Sequence, residues 1–358
     1  MRVGVLGVGL IGGSVGLAAR ERIPGVEVIG FDPSTRALGE ALELGAVGRA
    51  ANTVGEALEG AEACFCCAPV GALPALVAEA LAAAPERCVV SDVGSTKREI
   101  AASVGEDPRF VGGHPLAGAE TSGVRHARAD LFEGATWYLS PGAEASGVLY
   151  ERIHRLVGSL GARPVALDPD THDRLLATVS HLPHALANVL VAQAAETASE
   201  EEEPLPRVGA SFRDLTRVAG SSSEVWTDIY LSNREAVAAE IDETIRRLGA
   251  VSELLRSGEA GPVRRWNDAA REHRERLLEA DRAEGPTSVL SLSVPNRPGI
   301  VAQVALALGR AGVNITDMAL APAPDMRSGS MTLWVSGNRA ADRARELIEG
   351  LGYAVSAE

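Results

Sequence analysis

The sequence predicts an α/β protein in three parts: a sheet with crossover helices, an all-helical region and a small ferredoxin-like unit. Over residues 1–168, short apolar runs alternate with helical stretches, a pattern typical of parallel βαβ units. After residue 168 the strand-like runs disappear, and from residue 287 onward the order βαββαβ of a ferredoxin-like unit follows. A chain of 358 residues is long enough for two or three such domains.

The first part contains the apolar runs that predict the sheet. Helices are predicted between most of them, including Gly71–Ala84 and Thr96–Val104. Because strands and helices alternate, we expect the strands to pair in parallel. The predicted strands are Arg2–Leu6, Glu27–Asp32, Ala63–Ala68, Cys88–Val93, Phe110–Gly113, Trp137–Ser140 and Pro164–Asp168.

The second and third parts differ in the period of their apolar residues. Up to residue 279 the period is 3.6 residues, as in Val237, Ile241 and Ile245, which predicts helices. The acidic run Ser199–Pro204 predicts a solvated loop, and Asp281–Pro286 a linker. We therefore predict domains at 1–168, 169–282 and 287–358. In the last domain the predicted strands are Ser288–Val294, Asn314–Ala321, Ser330–Ser336 and Tyr353–Ser356, and the predicted helices are Val301–Ala311 and Asp342–Leu351.

The charge balance and the cysteines limit the function classes. With 48 acidic against 34 basic residues the net charge is −14, which disfavours nucleic acid and anionic membrane surfaces as partners. An anionic substrate then needs locally placed arginines. We see neither an uncharged apolar run long enough to span a membrane nor a signal peptide at Met1–Leu6. Three of the four cysteines crowd into Cys64–Cys67, which indicates buried thiols in a reducing cytoplasm rather than disulfides.

A glycine-rich segment, Gly7-Val8-Gly9-Leu10-Ile11-Gly12, follows the first predicted strand and begins a helix. Gly7 allows the tight turn, Gly9 lets backbone approach a pyrophosphate, and Gly12 lets helix and strand pack closely, so the residues 7–12 predict a dinucleotide site. The pyrophosphate would lie at the helix start, against Leu10 and Ile11. Asp32, twenty residues after Gly12, would bind ribose hydroxyls and repel a 2′-phosphate, so NAD is expected rather than NADP. The alternative is an ordinary glycine turn with an incidental aspartate.

Three further clusters carry chemistry-bearing side chains. His114 follows a predicted strand, where open α/β sheets place ligands and chemistry. The other two clusters are Ser180–His184 and Ser211–Arg217, both in the helical region. A zinc pair of His181 and His184 is improbable because no third ligand is apparent, and we predict no metal site.

Together these motifs resemble the prephenate dehydrogenase family of tyrosine biosynthesis. The resemblance covers residues 1–280 in the family's order, and the last domain resembles a regulatory ACT domain. It implies a Rossmann-type NAD domain, an all-α dimerisation domain and a homodimer. The matching segments are Gly7–Ser14, Ser91–Lys97, Gly113–Gly118 with Glu120, Ser180–His184, and Phe212–Arg217 with Trp226.

The resemblance also implies a reaction: oxidative decarboxylation of prephenate, a dicarboxylate with a 4-hydroxyl on its ring. His114 is then the base that takes the hydroxyl proton, and Ser95 orients that hydroxyl beside NAD. Arg217 binds a carboxylate in a bidentate manner. The remaining substrate-binding candidates are His184, Glu120, Arg213 and Trp226.

Plainer interpretations accompany several of these residues. His114 could be a loop histidine bonded to backbone, His181 a packing residue, and Arg213 only a partner for Asp214. Histidines 126, 154, 172 and 273 lie in polar helical contexts and are predicted to be at the surface. Where family members often have a threonine before the glutamate, this chain has Ala119, which puts a contact across subunits in doubt.

Other enzyme classes and a non-enzymatic function remain as alternatives. β-Hydroxyacid dehydrogenases share the two-domain plan but use a lysine in their helical domain, and this chain has no lysine after Lys97. Arogenate dehydrogenase is the close alternative, since arogenate has an amine in place of the side-chain keto group. The third is an NAD-binding amino-acid sensor without catalysis.

The last domain suggests an effector site for L-tyrosine, the end product. Pro298 and Gly299 form a turn at a helix start whose N–H groups suit an amino-acid carboxylate, with Asn296 beside it. Asn314 and Ile315 resemble the second half of an ACT ligand site. The alternative is an ACT unit that only dimerises.

Overall fold

The computed structural model describes residues 1–118, 121–200, 208–280, 287–323 and 328–357. These divide into two compact units. Unit 1 comprises Met1–Leu175, Gly220–Ser232 and Thr287–Glu358, and unit 2 comprises Leu176–Ala219 and Asn233–Pro286. The domain boundaries 1–168, 169–282 and 287–358 stay a prediction.

Unit 1 begins with a five-stranded parallel sheet of order β3-β2-β1-β4-β5, which confirms the dinucleotide-binding architecture. Valine-rich β1 lies at its centre and is buried on both faces, as crossover helices require. The strands are β1 Arg2–Leu6, β2 Glu27–Phe31, β3 Arg49–Ala50, β4 Ala63–Cys66 and β5 Val89–Asp92; the helices are α1 Leu10–Arg22, α2 Thr35–Glu43, α3 Val54–Leu58, α4 Leu73–Ala83 and α5 Arg98–Val104.

A second sheet of three strands follows: β6 Val111–Pro115, β7 Thr136–Pro141 and β8 Arg163–Ala166, with α6 Gly147–Ser159 between the last two. β6 and β7 pair antiparallel, whereas β7 and β8 pair in parallel around α6. The expectation of parallel pairing throughout is therefore wrong for β6 and β7. Within the described part of the 116–135 connection there is only one short 3₁₀ turn, so the chain returns without a crossover helix.

The helical region confirms the change of period at residue 169. Its helices are α7 Pro169–Leu176, α8 Leu182–Glu200, α9 Ala210–Thr216, α10 Ser223–Ser232, α11 Arg234–Arg256 and α12 Ala260–Ala280, with a π turn at Ala177–His181 and a 3₁₀ turn at Arg217–Gly220. α10 belongs to unit 1. Ser199 and Glu200 end α8, whereas the rest of the predicted acidic loop and the predicted linker 281–286 lie outside the described residues.

One segment of this region, Pro169–Glu196, is long and apolar enough to cross a membrane by length and composition. About a third of its most apolar window is buried (33%), and a core helix of a soluble protein passes the same test. The sequence expectation that no such segment exists therefore does not hold for this stretch.

The C-terminal elements form a four-stranded antiparallel sheet of order β10-β11-β9-β12. They are β9 Thr287–Pro295, α13 Ile300–Arg310, β10 Ile315–Pro322, β11 Ser328–Ser336, α14 Asn338–Gly350 and β12 Val355–Ala357. Their apolar side chains belong to the same buried cluster as α6 and β8. A Cβ on Gly309 would approach the Ala166 carbonyl oxygen to 1.8 Å, so α13 lies directly on the end of β8.

Candidate active site

The glycine-rich segment forms the turn from β1 into α1. Gly7 has a φ of +95°, and a Cβ there would lie 2.2 Å from the Cys67 carbonyl oxygen. A Cβ on Gly12 would lie 1.9 Å from the Gly7 carbonyl oxygen, so both positions need glycine. A Cβ on Gly9 would meet nothing within 4 Å, which leaves space beside the α1 N-terminus where a pyrophosphate fits. Leu10 and Ile11 are the first residues of α1.

Asp32, just after β2, faces this turn. Its Oδ2 accepts a hydrogen bond from the Val8 N–H at 2.9 Å, and its Oδ1 accepts one from the Ser34 N–H at 2.8 Å. The two backbone bonds fix the carboxylate, and a carboxylate has further lone pairs for ribose hydroxyls. The structure thus places the residue predicted for ribose next to the turn predicted for pyrophosphate.

The end of β5 holds a buried ion pair. Lys97 Nζ donates to Asp92 Oδ2, and both side chains are buried. Asp92 also accepts the N–H groups of Gly94 and Gly113, at 2.8 and 3.0 Å. Asp92 therefore ties the turn after β5, where Ser95 lies partly exposed, to the middle of β6.

His114 lies on β6 with its side chain only 8% exposed. Its Nδ1 lies 2.8 Å from His172 Nε2, and His172 Nδ1 lies 2.8 Å from Asp173 Oδ1. Asp173 also accepts the N–H groups of Lys97 and Arg98, at 2.8 and 3.0 Å. The predicted base is thus the first member of a buried row of three side chains.

The charges in this row follow from its contacts. Burial raises the pKa of Asp173, but the hydrogen bonds from His172 and from the Lys97 and Arg98 backbone outweigh it and leave that pKa below its usual value. Burial lowers the pKa of His172, and Asp173 opposes that shift. Burial likewise lowers the pKa of Lys97, opposed by Asp92. The row is therefore an ionised carboxylate beside a neutral imidazole.

Two histidines predicted to be at the surface are buried, so that prediction is wrong for them. His172 is the middle member of the row. His154, on α6, donates from Nε2 to the Ile315 carbonyl oxygen, 3.1 Å away, so Nε2 carries the hydrogen. The sequence missed both because polar neighbours in a helix give no signal of which face is covered. For His172, the His-Asp pair after a strand end was the available signal.

Helix α10 returns to unit 1 and packs beside these turns. Asp228 Oδ2 accepts the Gly71 N–H at 3.2 Å, and Ser232 Oγ lies 2.9 Å from Thr96 Oγ1, next to Ser95. Trp226, on the same helix, is half-buried, with its ring 5.6 Å from the Tyr230 ring.

Unit 2 carries the other substrate candidates. His184 is buried, its Nδ1 is 3.3 Å from Asn188 Nδ2, and burial lowers its pKa while a hydrogen bond with the Val218 backbone opposes that shift. That bond brings His184 next to Arg217, whose side chain is exposed. Arg213 is exposed and donates to the Val208 carbonyl at 2.7 Å, so its recorded partner is backbone rather than Asp214.

Three further sequence predictions concern His181, the adjacent residues Ala119 and Glu120, and metal binding. His181 is buried, with Nδ1 3.2 Å from Asn233 Nδ2, as a packing residue would be. Glu120 and the departure at Ala119 lie outside the described residues. In the described part of the chain no group of three or more His, Cys, Asp or Glu side chains could hold a metal ion.

The predicted effector residues separate into two places. Asn296 and Pro298 line a cavity of about 310 Å³ that is also lined by Glu144 and Ser146 of the β7–α6 connection and by Val148 at the start of α6. Asn314 and Ile315 are not among the residues lining this cavity. Asn314 Oδ1 is buried and has no partner among the described residues.

Gly299 lies between Pro298 and the first residue of α13, with a φ of +79°. Its N–H donates to the Ala145 carbonyl at 3.2 Å, so this donor is already used within the chain. A Cβ at this position would lie 2.1 Å from the Ala143 carbonyl oxygen.

Comparison with known families agrees with this architecture. Residues 15–166 match the model described as "Prephenate dehydrogenase, nucleotide-binding domain", residues 168–267 the model described as "Prephenate dehydrogenase, dimerization domain", and residues 288–336 the ACT domain model.

Individual relatives give the same result. The chain is 30% identical to a prephenate dehydrogenase of Bacillus subtilis, over 96% of this chain and 94% of that protein. It is 31% identical to a cyclohexadienyl dehydrogenase of Zymomonas mobilis, over 69% of this chain and 85% of that protein. A crystal structure of Aquifex aeolicus prephenate dehydrogenase with hydroxyphenyl propionate and NAD⁺ superimposes with a TM-score of 0.70 and 27% identity, covering 77% of this chain and 98% of that one.

Proposed function

The chain belongs to the prephenate dehydrogenase family, and from that premise we propose how its own residues carry out the reaction. The reaction is the NAD-dependent oxidative decarboxylation of prephenate to 4-hydroxyphenylpyruvate and CO₂. The observation that supports our residue assignment best is the placement of His114. It lies on β6, beside the end of β5, with a buried polar row behind it.

The residues for NAD are those of the first βα turn. Gly7, Gly9 and Gly12 shape the turn, and the N–H groups at the start of α1, including those of Leu10 and Ile11, face the pyrophosphate. Asp32 binds the ribose hydroxyls. When bound, NAD⁺ supplies the hydride acceptor for the C4–H bond of the substrate.

His114 acts on the 4-hydroxyl of prephenate. It takes the hydroxyl proton as the C4–H bonding pair leaves, so that a ring carbonyl forms at C4. Loss of CO₂ from C1 then pushes electrons toward that carbonyl and the ring becomes aromatic. The phenolate oxygen takes back the proton from His114, which regenerates the base. Ser95, on the turn after β5, orients the hydroxyl.

The carboxylates of prephenate need cationic partners. We assign Arg217 to one of them, because a guanidinium matches a carboxylate in a bidentate manner. His184, bonded to the backbone next to Arg217, supports that binding surface. Arg213, Glu120 and Trp226 are assigned to the remainder of the substrate site.

The test is an assay of NADH formation with prephenate and NAD⁺, and with arogenate and NAD⁺ in parallel. We expect a kcat/KM for prephenate above that for arogenate. The reverse order would favour arogenate dehydrogenase. Tight NAD and amino-acid binding with no turnover of either substrate would favour the sensor function and contradict the assignment of His114.

We further propose that L-tyrosine regulates the enzyme through the ACT domain. The cavity near Asn296 and Pro298 is large enough for an amino acid and is lined by apolar residues as well as by Arg297 and Glu144, which can pair with its carboxylate and ammonium groups. Because residues before and within α6 and residues of the ACT domain both line the cavity, a ligand there would act on the packing of the ACT domain against α6. Asn314 and Ile315, which do not line this cavity, are the alternative location for the same ligand.

Tyrosine inhibition is tested on the full chain with Asn296→Ala and Asn314→Ala compared. If the cavity is the site, Asn296→Ala raises the inhibition constant about tenfold or more, and Asn314→Ala leaves it within twofold. If both substitutions raise the inhibition constant equally, the ligand contacts both Asn296 and Asn314. Inhibition that competes with prephenate and is unchanged in both variants would contradict regulation through this domain. Gly299→Asp is unsuitable, since any Cβ there collides with Ala143.

We propose a cytoplasmic homodimer formed by unit 2. Large apolar side chains stay exposed there, more than a single folded unit leaves uncovered without a partner. They are Val179, Val189, Val191, Leu215, Ile241, Ile245, Leu248, Leu255, Trp266, Leu277 and Leu278. We expect Leu248→Glu to shift the sedimentation coefficient toward the monomer, whereas Ala250→Glu, an exposed site on another face of α11, leaves it unchanged. A Leu248→Glu protein that sediments as wild type would contradict this interface.

A further inference from the structure

The row His114–His172–Asp173 determines where its hydrogens are. A carboxylate accepts hydrogen bonds and donates none, so His172 Nδ1, which lies 2.8 Å from Asp173 Oδ1, must carry a hydrogen. Asp173 stays ionised because it also receives two backbone N–H groups at the start of α5.

The second step concerns the other nitrogen of His172. Burial lowers the pKa of His172, so near neutral pH this ring is neutral and has a hydrogen on one nitrogen only. With that hydrogen on Nδ1, the lone pair of His172 is on Nε2. His114 Nδ1, 2.8 Å away, must then be the donor of the bond between the two rings. The basic lone pair of His114 is therefore on Nε2.

We propose that His172 and Asp173 are positioning residues that hold His114 in the tautomer with Nε2 as its basic atom. This inference rests on the proposed role of His114 as the base. When Nε2 takes the substrate hydroxyl proton, His114 becomes a cation whose Nδ1–H still donates to His172, and no proton moves along the row. The Asp173 carboxylate faces that cation through one imidazole ring and stabilises it.

The surrounding charges fit this role. The nearest other charges acting on His172 are Lys97 and Asp92, which form a buried pair. Within the row itself, the charged group that contacts the His172 ring directly is the Asp173 carboxylate. The Tyr138 ring stands edge-on to His172, with centroids 5.6 Å apart and planes at 87°, and holds the His172 ring in this orientation.

The first experiment needs no variant and no activity. Two-bond ¹⁵N–¹H correlation spectra of the full-length protein identify which nitrogen of each histidine carries hydrogen, with His114→Asn assigning the His114 signals. We expect His114 to be protonated on Nδ1 and unprotonated on Nε2 at pH 7.5. A His114 ring with its hydrogen on Nε2 overturns the proposal, whatever the protein's turnover of prephenate.

The second experiment separates positioning from packing. His172→Leu removes the acceptor for His114. We expect kcat to fall ten- to hundredfold, the usual effect of losing such a supporting bond. The KM values for prephenate and for NAD⁺ should stay within twofold of wild type. The His114 hydrogen should move toward Nε2 in this variant. His172→Gln, which has both an acceptor and a donor, should recover kcat to within about fivefold of wild type.

The matched control is His154→Leu, which removes another buried histidine of unit 1. We expect its kcat to stay within twofold of wild type. If His172→Leu retains wild-type kcat, or if Leu and Gln at this position lose kcat equally, the positioning role is wrong. If the wild-type protein does not oxidise prephenate at all, the proposed function fails, and the spectra alone still decide the tautomer.

Discussion

The two units of this chain hold their polar side chains in different ways. In unit 1, His114, His172, Asp92 and Asp173 are buried and bonded to one another or to backbone. In unit 2 the arginines proposed for substrate are exposed, and large apolar side chains of its helices are exposed as well. On the proposed assignment, the groups for the proton chemistry are already hydrogen-bonded within unit 1, whereas the groups of unit 2 assigned to substrate and to a second subunit are exposed. We therefore expect substitutions in the buried polar row of unit 1 to change kcat, and substitutions of the exposed arginines of unit 2 to change KM.

The largest effect is expected at His114. His114→Asn removes the proposed base, and kcat should fall about 10²–10⁴-fold because general-base catalysis contributes that much. NAD⁺ binding, measured by calorimetry, should stay the same. His126→Asn, at an exposed position of a 3₁₀ turn, is the control and should retain full activity. A near-normal kcat in His114→Asn would contradict the assignment of His114 as the base.

Arg217 gives the matching test in unit 2. Arg217→Ala leaves a substrate carboxylate without its partner, at a cost of about 2–5 kcal/mol. We expect KM for prephenate to rise more than tenfold with little change in kcat. Arg213→Ala, whose guanidinium has a backbone partner, should raise KM less. If Arg217→Ala lowers kcat and leaves KM within twofold, the division of roles between the units is wrong.

A buried histidine of unit 1 without chemistry should affect stability alone. Burial lowers the pKa of His154 to about 4, below its value of 6.5 when unfolded. The neutral form therefore contributes stability that is complete above pH 6.5 and is lost as pH falls toward 4, by up to about 3 kcal/mol.

Urea unfolding of the full chain at pH 7 and pH 4.5 measures this loss. Between these two pH values the free energy of unfolding should change less in His154→Leu than in wild type, by up to about 3 kcal/mol. The kcat of this variant at pH 7.5 should be unchanged. An identical pH dependence in both proteins would mean that folding does not lower the pKa of His154.

The smallest effect is expected at Asp32. Asp32→Ser removes the negative charge that repels a 2′-phosphate and the acceptor for the ribose hydroxyls. The ratio of kcat/KM for NAD⁺ over NADP⁺ should fall about tenfold, or ~1.4 kcal/mol. The reaction with prephenate should still proceed. An unchanged ratio would mean that a residue other than Asp32 determines the preference for NAD⁺ over NADP⁺.

The parts that depend on local pattern could be predicted from the sequence. β1 and the glycine turn follow from an apolar run before spaced glycines, and the structure places β1 at Arg2–Leu6 as expected. β3, at Arg49–Ala50, was missed because two residues carry no period. The antiparallel pairing of β6 with β7 was missed because strand direction depends on the path of residues 116–135, not on their composition.

The site shows the same limit. His114 and Asp32 could be found because each follows a strand at a known place in a motif. His172 was missed: the His-Asp pair after a strand end gives only a weak signal, and its contact with a residue 58 positions away leaves no trace in the sequence pattern. A one-dimensional pattern records neighbours along a helix or strand, and this row is made by packing α7 against β6.

Lys97 makes the protein unusually easy to follow by chemical labelling. It is the one lysine in 358 residues, and in the folded chain its amine is buried against Asp92. An acylating reagent that modifies amines can reach it only when the end of β5 opens. The rate at which a Lys97-containing peptide gains the label therefore measures how often the turn after β5 opens, without background from other lysines.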